Sequence, residues 1–232
     1  MSGAEGAVLG MSGGLDSSVC AILCKRALGT QVLGLIMPCH SDPSDEAHAR
    51  LVANSFDIRL EKTDLSPVFD LLLDGLPRDG VLPVANLKPR LRMITLYYFS
   101  NRLNYLVVGS SNKSELMTGY FTKYGDAAAD VLPLGRLFKS DVRKLAEELG
   151  VPADIMTKPP SAGLWPGQTD EGELGITYDE LDRALRVLES GPEGHPEHET
   201  LARVRQMVSR SYHKRAPIPT YGASPGDPPD RT

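Results

Sequence analysis

Short apolar runs alternate with longer amphipathic or polar segments over the first half of this chain. Ala7 to Met11 is the first such run and predicts a buried strand. Ser17 to Leu28 predicts a helix, apolar at Val19, Ala21, Ile22, Leu23 and Leu28, and Gly29 stops it. Gln31 to Met37 predicts a second strand, ended by Pro38. Glu46 to Phe56 predicts a second helix with Ala49, Leu51, Val52 and Ala53 on its apolar side, and Asp57 to Leu60 a third strand. A helix over Pro89 to Leu103 leads into a fourth strand at Tyr105 to Gly109. Strands alternating with helices imply right-handed crossovers, and so an α/β fold with a doubly wound, mostly parallel sheet and helices on both faces. Ligands then bind at the carboxyl ends of the strands. Two polar segments, "GMSGGLDSS" and "GSSNKSE", sit at such ends.

The pattern changes after Gly119. "GYFTKYGDAAADVLPLG" is rich in small residues without periodicity and reads as a functional loop. Ser140 can cap the next helix, where Val142, Leu145, Ala146 and Leu149 recur at helical spacing before Gly150 and Pro152. "MTKPPSAGLWPGQTDEGELG" is a second long irregular segment. Thr177 with Glu180 forms a capping box for a helix over Tyr178 to Leu188, and one more helix spans Leu201 to Ser211. Residues 1–217 read as one domain and 218–232 as a flexible tail.

Composition narrows the function classes. The 232 residues are 41% hydrophobic, enough for a sizeable core, and the net charge of −5 argues against a nucleic-acid surface. Three cysteines make no disulfide framework, and no apolar run approaches the roughly 18 residues of a membrane span. A reduced, cytoplasmic setting is the expectation.

The turn after the first strand carries the chemistry. Its amides lie at a helix amino-terminus, where orphan N–H groups favour an anion, and Gly13 and Gly14 allow close approach. Ser12, Ser17 and Ser18 add hydroxyls. Yet the turn lacks the lysine of the common phosphate loop and carries Asp16 instead. A carboxylate fits there if magnesium bridges it to phosphate. Glu115, after the fourth strand, could complete that site or could be a first-turn helix glutamate favoured by the dipole. Arg90, Lys123 and Lys139 are cations beside the irregular loops, where solvated surface charges are the ordinary alternative. Cys20, Cys24 and Cys39 with His40 read as buried small side chains rather than a metal site, and "HPEHE" as a solvated loop. Trp165 and Tyr178 either stack on a base or pack.

These segments resemble the ammonia-dependent NAD synthetases, ATP pyrophosphatases of the SGGxDS superfamily with an adenine nucleotide alpha hydrolase-like fold. "GMSGGLDSS", "NLKPRLRM", "GSSNKSE", "GYFTKYGD", "LPLGRLFKSDVRKLAEELGVP", "KPPSAGLWPGQTDEGELGITYDELD" and "HKRAPI" carry the resemblance from about Ala7 to Pro217. The loop alone marks only the superfamily, whose other members thiolate tRNA or amidate nucleotides. The resemblance implies that deamido-NAD, ATP and ammonia give NAD, AMP and pyrophosphate through an acyl-adenylate. It implies that Gly10, Met11, Ser12, Gly13, Gly14, Leu15, Asp16 and Ser17 line the ATP phosphates. Ser110, Lys139 and Ser161 would contact ATP, and Asp16 and Lys139 would be the catalytic pair. Asp16 and Glu115 would hold magnesium, and Arg90, Lys123, Asp130, His213 and Lys214 would contact deamido-NAD. Many relatives have threonine at positions 110 and 161, and many carry a leading helical segment before the first strand. The family is homodimeric, with the substrate near the subunit interface. Closure of both irregular loops and of the segment around His213 over the substrate is expected, because an acyl-adenylate must be shielded from water. Free ammonia is the expected nitrogen donor, since the nucleotide fold and its loops account for nearly the whole length and Cys20 and Cys24 suit burial better than attack. Cys39 beside His40 is the one pairing that could supply a glutaminase nucleophile, and a separate glutaminase subunit stays open.

Overall fold

The computed structural model describes residues 3–77, 79–165, 167–191 and 198–220. The chain forms β1 (Gly6–Gly10), α1 (Leu15–Leu28), β2 (Val32–Ile36), α2 (Pro43–Ser55) and β3 (Arg59–Lys62). α3 (Ser66–Asp74), α4 (Val81–Ala85), α5 (Leu87–Leu103), β4 (Tyr105–Val108) and α6 (Lys113–Thr118) follow. α7 (Lys139–Leu149), α8 (Ala153–Met156), α9 (Asp170–Leu174), α10 (Tyr178–Ser190), α11 (His198–Arg210) and α12 (Tyr212–Arg215) complete it.

The four strands pair in parallel in the order β3-β2-β1-β4. Their near-continuous apolar sequence follows from burial on both faces. Ala7, Leu9, Val32 and Ile36 face α1, α2, α7 and α8, whereas Val8, Leu33, Leu35 and Val107 face α3 to α5 around Phe69 and Phe99. Gly34 allows this stacking, since a Cβ there would lie 2.7 Å from Met11 and 2.8 Å from Leu60. A third core of Phe138, Tyr178, Leu181, Leu185 and Val204 binds α10 and α11 beside the sheet. Burying a side chain of that size contributes about 1.5–3 kcal/mol. No helix among the described residues is long and apolar enough to cross a membrane.

The alternation of strands and helices is as the sequence predicts, with local corrections. β3 is shifted to Arg59–Lys62, because Asp57 takes a left-handed φ of 52° in the preceding turn. α2 starts earlier, capped by Asp42 with Pro43 in its first turn. α3, α4 and the short helices α8, α9 and α12 were not anticipated, α9 falling within the segment read as irregular, although Ser66-Pro67 opens α3 and its apolar side packs Phe69 inward. Ser140 does not cap α7. Its N–H instead donates to Asp182 Oδ2 of α10 at 2.8 Å. The segment after Gly119 lacks regular structure except where Val131 bridges to Val108 at the sheet edge. α11 begins at His198, three residues before the expected Leu201, and most of "HPEHE" and of the tail lies outside the described residues.

Candidate active site

β1 and β4 are neighbours, so the segments leaving their carboxyl ends meet. The turn after β1 closes on itself. Ser12 Oγ and Ser17 Oγ are 2.9 Å apart, Gly14 N–H donates to Ser12 Oγ at 3.3 Å, and Ser17 and Ser18 hydroxyls donate to the Gly14 carbonyl. Gly13 has φ of 74°, and a Cβ there would lie 2.2 Å from the Asp45 carbonyl oxygen of α2. Only glycine fits that contact. The turn opens into α1 at Leu15, with Asp16 in its first turn.

The cation that this turn lacks in sequence arrives from elsewhere. Lys139 Nζ donates to Asp16 Oδ2, across 123 positions of chain. Asn112 Nδ2 donates to Asp16 Oδ1 at 3.2 Å. Asn112 also caps α6 in a capping box with Glu115, whose Oε2 accepts the Asn112 N–H at 3.1 Å. Burial and the Asp16 charge push the Glu115 carboxyl up to about 8. Burial acts to discharge Lys139, but Asp16 and Glu115 outweigh it and leave the ammonium above its usual range. Asp16, Glu115 and Lys139 thus form one electrostatic unit.

Lys139 is the first residue of α7, and two other helices set that end. Its N–H donates to Ser114 Oγ at 3.0 Å, Ser114 Oγ donates to Asp182 Oδ1 at 2.5 Å, and Asp182 Oδ2 takes the Ser140 N–H. Asp182 is buried. Orphan amides of a buried helix end need such partners. Asn112, Ser114 and Asp182 were missed from sequence. The Asn-x-x-Glu spacing of a capping box signals Asn112, whereas nothing local signals Asp182.

Two carboxylates fit magnesium, which takes one or two carboxylates and fills its shell with phosphate oxygens and water. Among the described residues no group of three or more His, Cys, Asp or Glu side chains could hold a metal. An ion held by Asp16 and Glu115 would therefore depend on the substrate's phosphates.

A second group gathers around the segment after Gly119. Arg90 Nη2 donates to the Lys123 carbonyl at 3.3 Å, and Lys123 Nζ donates to the His213 carbonyl at 2.8 Å. Lys214 Nζ donates to the Gly119 and Phe121 carbonyls at 2.7 and 2.8 Å. Asp130 lies apart from these contacts, accepting from Val107 N–H at 2.8 Å and from Tyr97 Oη at 3.2 Å. Ser110 follows β4, half-buried, and Ser161 lies exposed in the 157–169 segment, where its Oγ accepts the Gly163 N–H. That segment is held by Lys158 on Asp45 and by Lys88 on the Leu164 carbonyl at 2.9 Å. Lys88 and Arg92 flank Arg90 in "NLKPRLRM" and were also missed. Arg92 Nε donates to the Met37 carbonyl at the end of β2, at 3.2 Å.

Residues 1–218 match the NAD synthase family model. The chain belongs to the NAD synthase family. It is 54% identical over 182 residues to the NH3-dependent NAD(+) synthetase of Finegoldia magna, covering 78% of this chain and 76% of that protein. Its structure is similar to NMN synthetase from Francisella tularensis, with a TM-score of 0.86, 37% identity and coverage of 95% and 91%. It is also similar to NH3-dependent NAD synthetase from Campylobacter jejuni, with a TM-score of 0.81, 29% identity and coverage of 94% and 90%. The SGGLDSS turn, α6 and α7 converge at the carboxyl edge of the sheet, where an α/β fold binds its ligand.

Proposed function

We propose that this chain is an ammonia-dependent ligase that converts deamido-NAD to NAD, with ATP split to AMP and pyrophosphate, as the last step of NAD biosynthesis. The observation that carries this reading is the Lys139–Asp16 contact. It supplies a cation to an anion-binding turn that has none of its own and sets it beside a carboxylate pair suited to magnesium. The turn from Gly10 to Ser17 cradles the ATP phosphates, and Ser110 and Ser161 contact the nucleotide. The nicotinate carboxylate attacks the α-phosphorus and pyrophosphate leaves. Ammonia then attacks the acyl carbon, AMP leaves with the carboxylate oxygen, and a proton is released. Lys139 stabilises charge on the phosphates as the α-phosphorus is attacked. Magnesium, held by Asp16 and Glu115, would neutralise the leaving pyrophosphate. Arg90, Lys123, Asp130, His213 and Lys214 orient deamido-NAD, so that the protein's contribution is positioning as much as charge.

Residues 1–217 act as one catalytic unit in the cytoplasm. Exposed apolar residues on α3, α4 and α5 (Val68, Leu71, Val81, Leu82, Ile94 and Tyr98) support a homodimer, with the substrate residues near the subunit interface. The test is incubation of the purified protein with ATP, magnesium, ammonium and deamido-NAD, read by mass spectrometry. Stoichiometric NAD, AMP and pyrophosphate support the reading, and ADP with phosphate would overturn it. The likeness to an NMN synthetase favours a second reading, the mononucleotide as acceptor. A higher kcat/KM for deamido-NMN than for deamido-NAD would select it. Sedimentation of a monomer at micromolar concentration would remove the dimer.

A further inference from the structure

Lys139 is held by more than Asp16. Its ammonium lies over the Tyr178 ring, 5.2 Å from the centroid. Tyr178 is buried, and its hydroxyl donates to Asp170 Oδ2 at 3.0 Å. Tyr120 Oη stands 3.1 Å from Asp170 Oδ1 and 2.5 Å from Glu173 Oε2. Gln168 Nε2 donates to the same Glu173 oxygen at 2.6 Å, and Gln168 Oε1 accepts the Leu164 N–H at 2.7 Å. Contacts therefore run from Lys139 through the Tyr178 ring and its hydroxyl to the 157–169 segment.

A buried carboxylate is costly. Asp170 is 5% exposed and, among the described residues, has no arginine or lysine in contact, only two tyrosine hydroxyls and the more distant Lys139 charge. Well-packed apolar side chains of like volume often match or exceed such a group in stability. What Asp170 supplies that an apolar residue cannot is direction. It fixes the Tyr178 hydroxyl, and with it the ring face that carries the ammonium. A lysine side chain has four rotatable bonds, and the ring and Asp16 together leave it one aim.

We propose that Asp170 and Tyr178 are positioning residues for Lys139, holding its ammonium toward the phosphate turn, an inference that rests on the role given to Lys139 above. Displacement of a reacting group by about 1 Å can lower a rate by about a hundredfold. Lys139 would keep its charge, so a partial loss is expected. The test is a double-mutant cycle of Tyr178→Phe and Asp170→Asn, each alone and combined with Lys139→Ala. Tyr178→Phe should lower kcat about tenfold while KM for deamido-NAD moves less than about twofold, and should add no further loss when Lys139 is absent. Affinity for a non-hydrolysable ATP analogue with magnesium, measured by calorimetry, should follow the same non-additive pattern. An equal fold-loss on both backgrounds, or unchanged kcat in Tyr178→Phe, would overturn the proposal. If Asp170→Asn does not fold, Tyr178→Phe still decides, because the ring remains. Wild-type inactivity toward deamido-NAD would fault the functional reading alone, since the binding cycle needs only the nucleotide.

Discussion

The phosphate turn and the amino-terminus of α7 meet at one ion pair, yet they are built in opposite ways. The turn is closed by bonds that span two to five residues: Gly14 to Ser12, Ser17 and Ser18 to Gly14, Ser12 to Ser17. The α7 terminus is closed by Ser114, 25 residues before Lys139, and by Asp182, 42 residues after Ser140. The first structure is local and needs only its own residues and a strand behind it. The second exists only once α6, α7 and α10 have packed. On the proposed function, the difference is how an anion site arises at a glycine-rich turn that carries a negative charge. The turn offers amides, and the distant helix offers the cation.

The largest expected effect strikes the junction of the two. Asp16→Asn should lower kcat about a thousandfold, from loss of the proposed magnesium ligand and of the Lys139 partner. The Asn side chain keeps the volume and the Asn112 contact, so the fold should survive, checked by circular dichroism and a folded thermal transition. Near-normal turnover at ordinary magnesium would remove Asp16 from the mechanism.

Asp182→Ala attacks the non-local side alone. It leaves the buried Ser114 hydroxyl and the Ser140 amide without their acceptor, and should cost about 2–4 kcal/mol. A lowered urea midpoint with an unchanged slope is the readout. A Ser12→Ala change in the local turn, which removes a partly exposed hydroxyl bond, should cost about 1 kcal/mol or less by the same measurement. If the two losses were equal, the contrast between local and non-local construction would fail.

A smaller effect concerns the segment that the network reaches. Lys88→Met removes the donor to the Leu164 carbonyl, one residue before the chain's single tryptophan, Trp165. KM for ATP should rise a few-fold, less than the roughly tenfold or more that one charged hydrogen bond is worth, because Lys158 on Asp45 still holds the segment, and the Trp165 emission should shift toward that of a solvated indole. An unmoved spectrum would show that Lys88 does not hold the segment.

The smallest effect lies behind the turn, on α1. Burial pushes the Cys24 thiol up to about 11. The folded protein therefore holds that proton more tightly than the unfolded chain does. The associated stability is complete below the ordinary thiol range and is lost as pH rises through it toward 11. Reaction with a thiol reagent should be slow at pH 8 and should climb about tenfold per pH unit, without the plateau of an exposed thiol. Rapid reaction at pH 8 would contradict the burial of Cys24.

How much of this was legible in the sequence depended on the range of the interaction. The parallel sheet followed from apolar runs of strand length at Ala7, Gln31 and Tyr105, each a local pattern. Thr177 with Glu180 predicted its own capping box, and the bond is there at 3.3 Å. Asp16, Glu115 and Lys139 were named from the turn, a strand end and a family resemblance, and the structure brings them together. Arg90, Lys123 and His213 were named separately and prove to be linked in one chain of bonds. Ser140 was misread because its own hydroxyl is a common cap, while the carboxylate that serves its amide lies on another helix. Lys88 and Arg92 were passed over because a cation in a helix is usually solvated, and only burial against the 157–169 segment and β2 distinguishes them.

By itself the sequence determined the order of the four strands and of the longer helices α1, α2, α5, α7, α10 and α11, and a glycine-rich turn at a helix amino-terminus that lacks a lysine, because propensities, glycine turns and caps act over a few residues. The tertiary structure alone decided that Lys139 would fill that gap, that Asp182 and Ser114 would hold its helix, and that Asp170 and Tyr178 would stand beneath it. Those contacts join residues dozens of positions apart. Their partners are chosen by which helices pack against the sheet edge, and burial then makes each polar atom there find a mate or exact a cost.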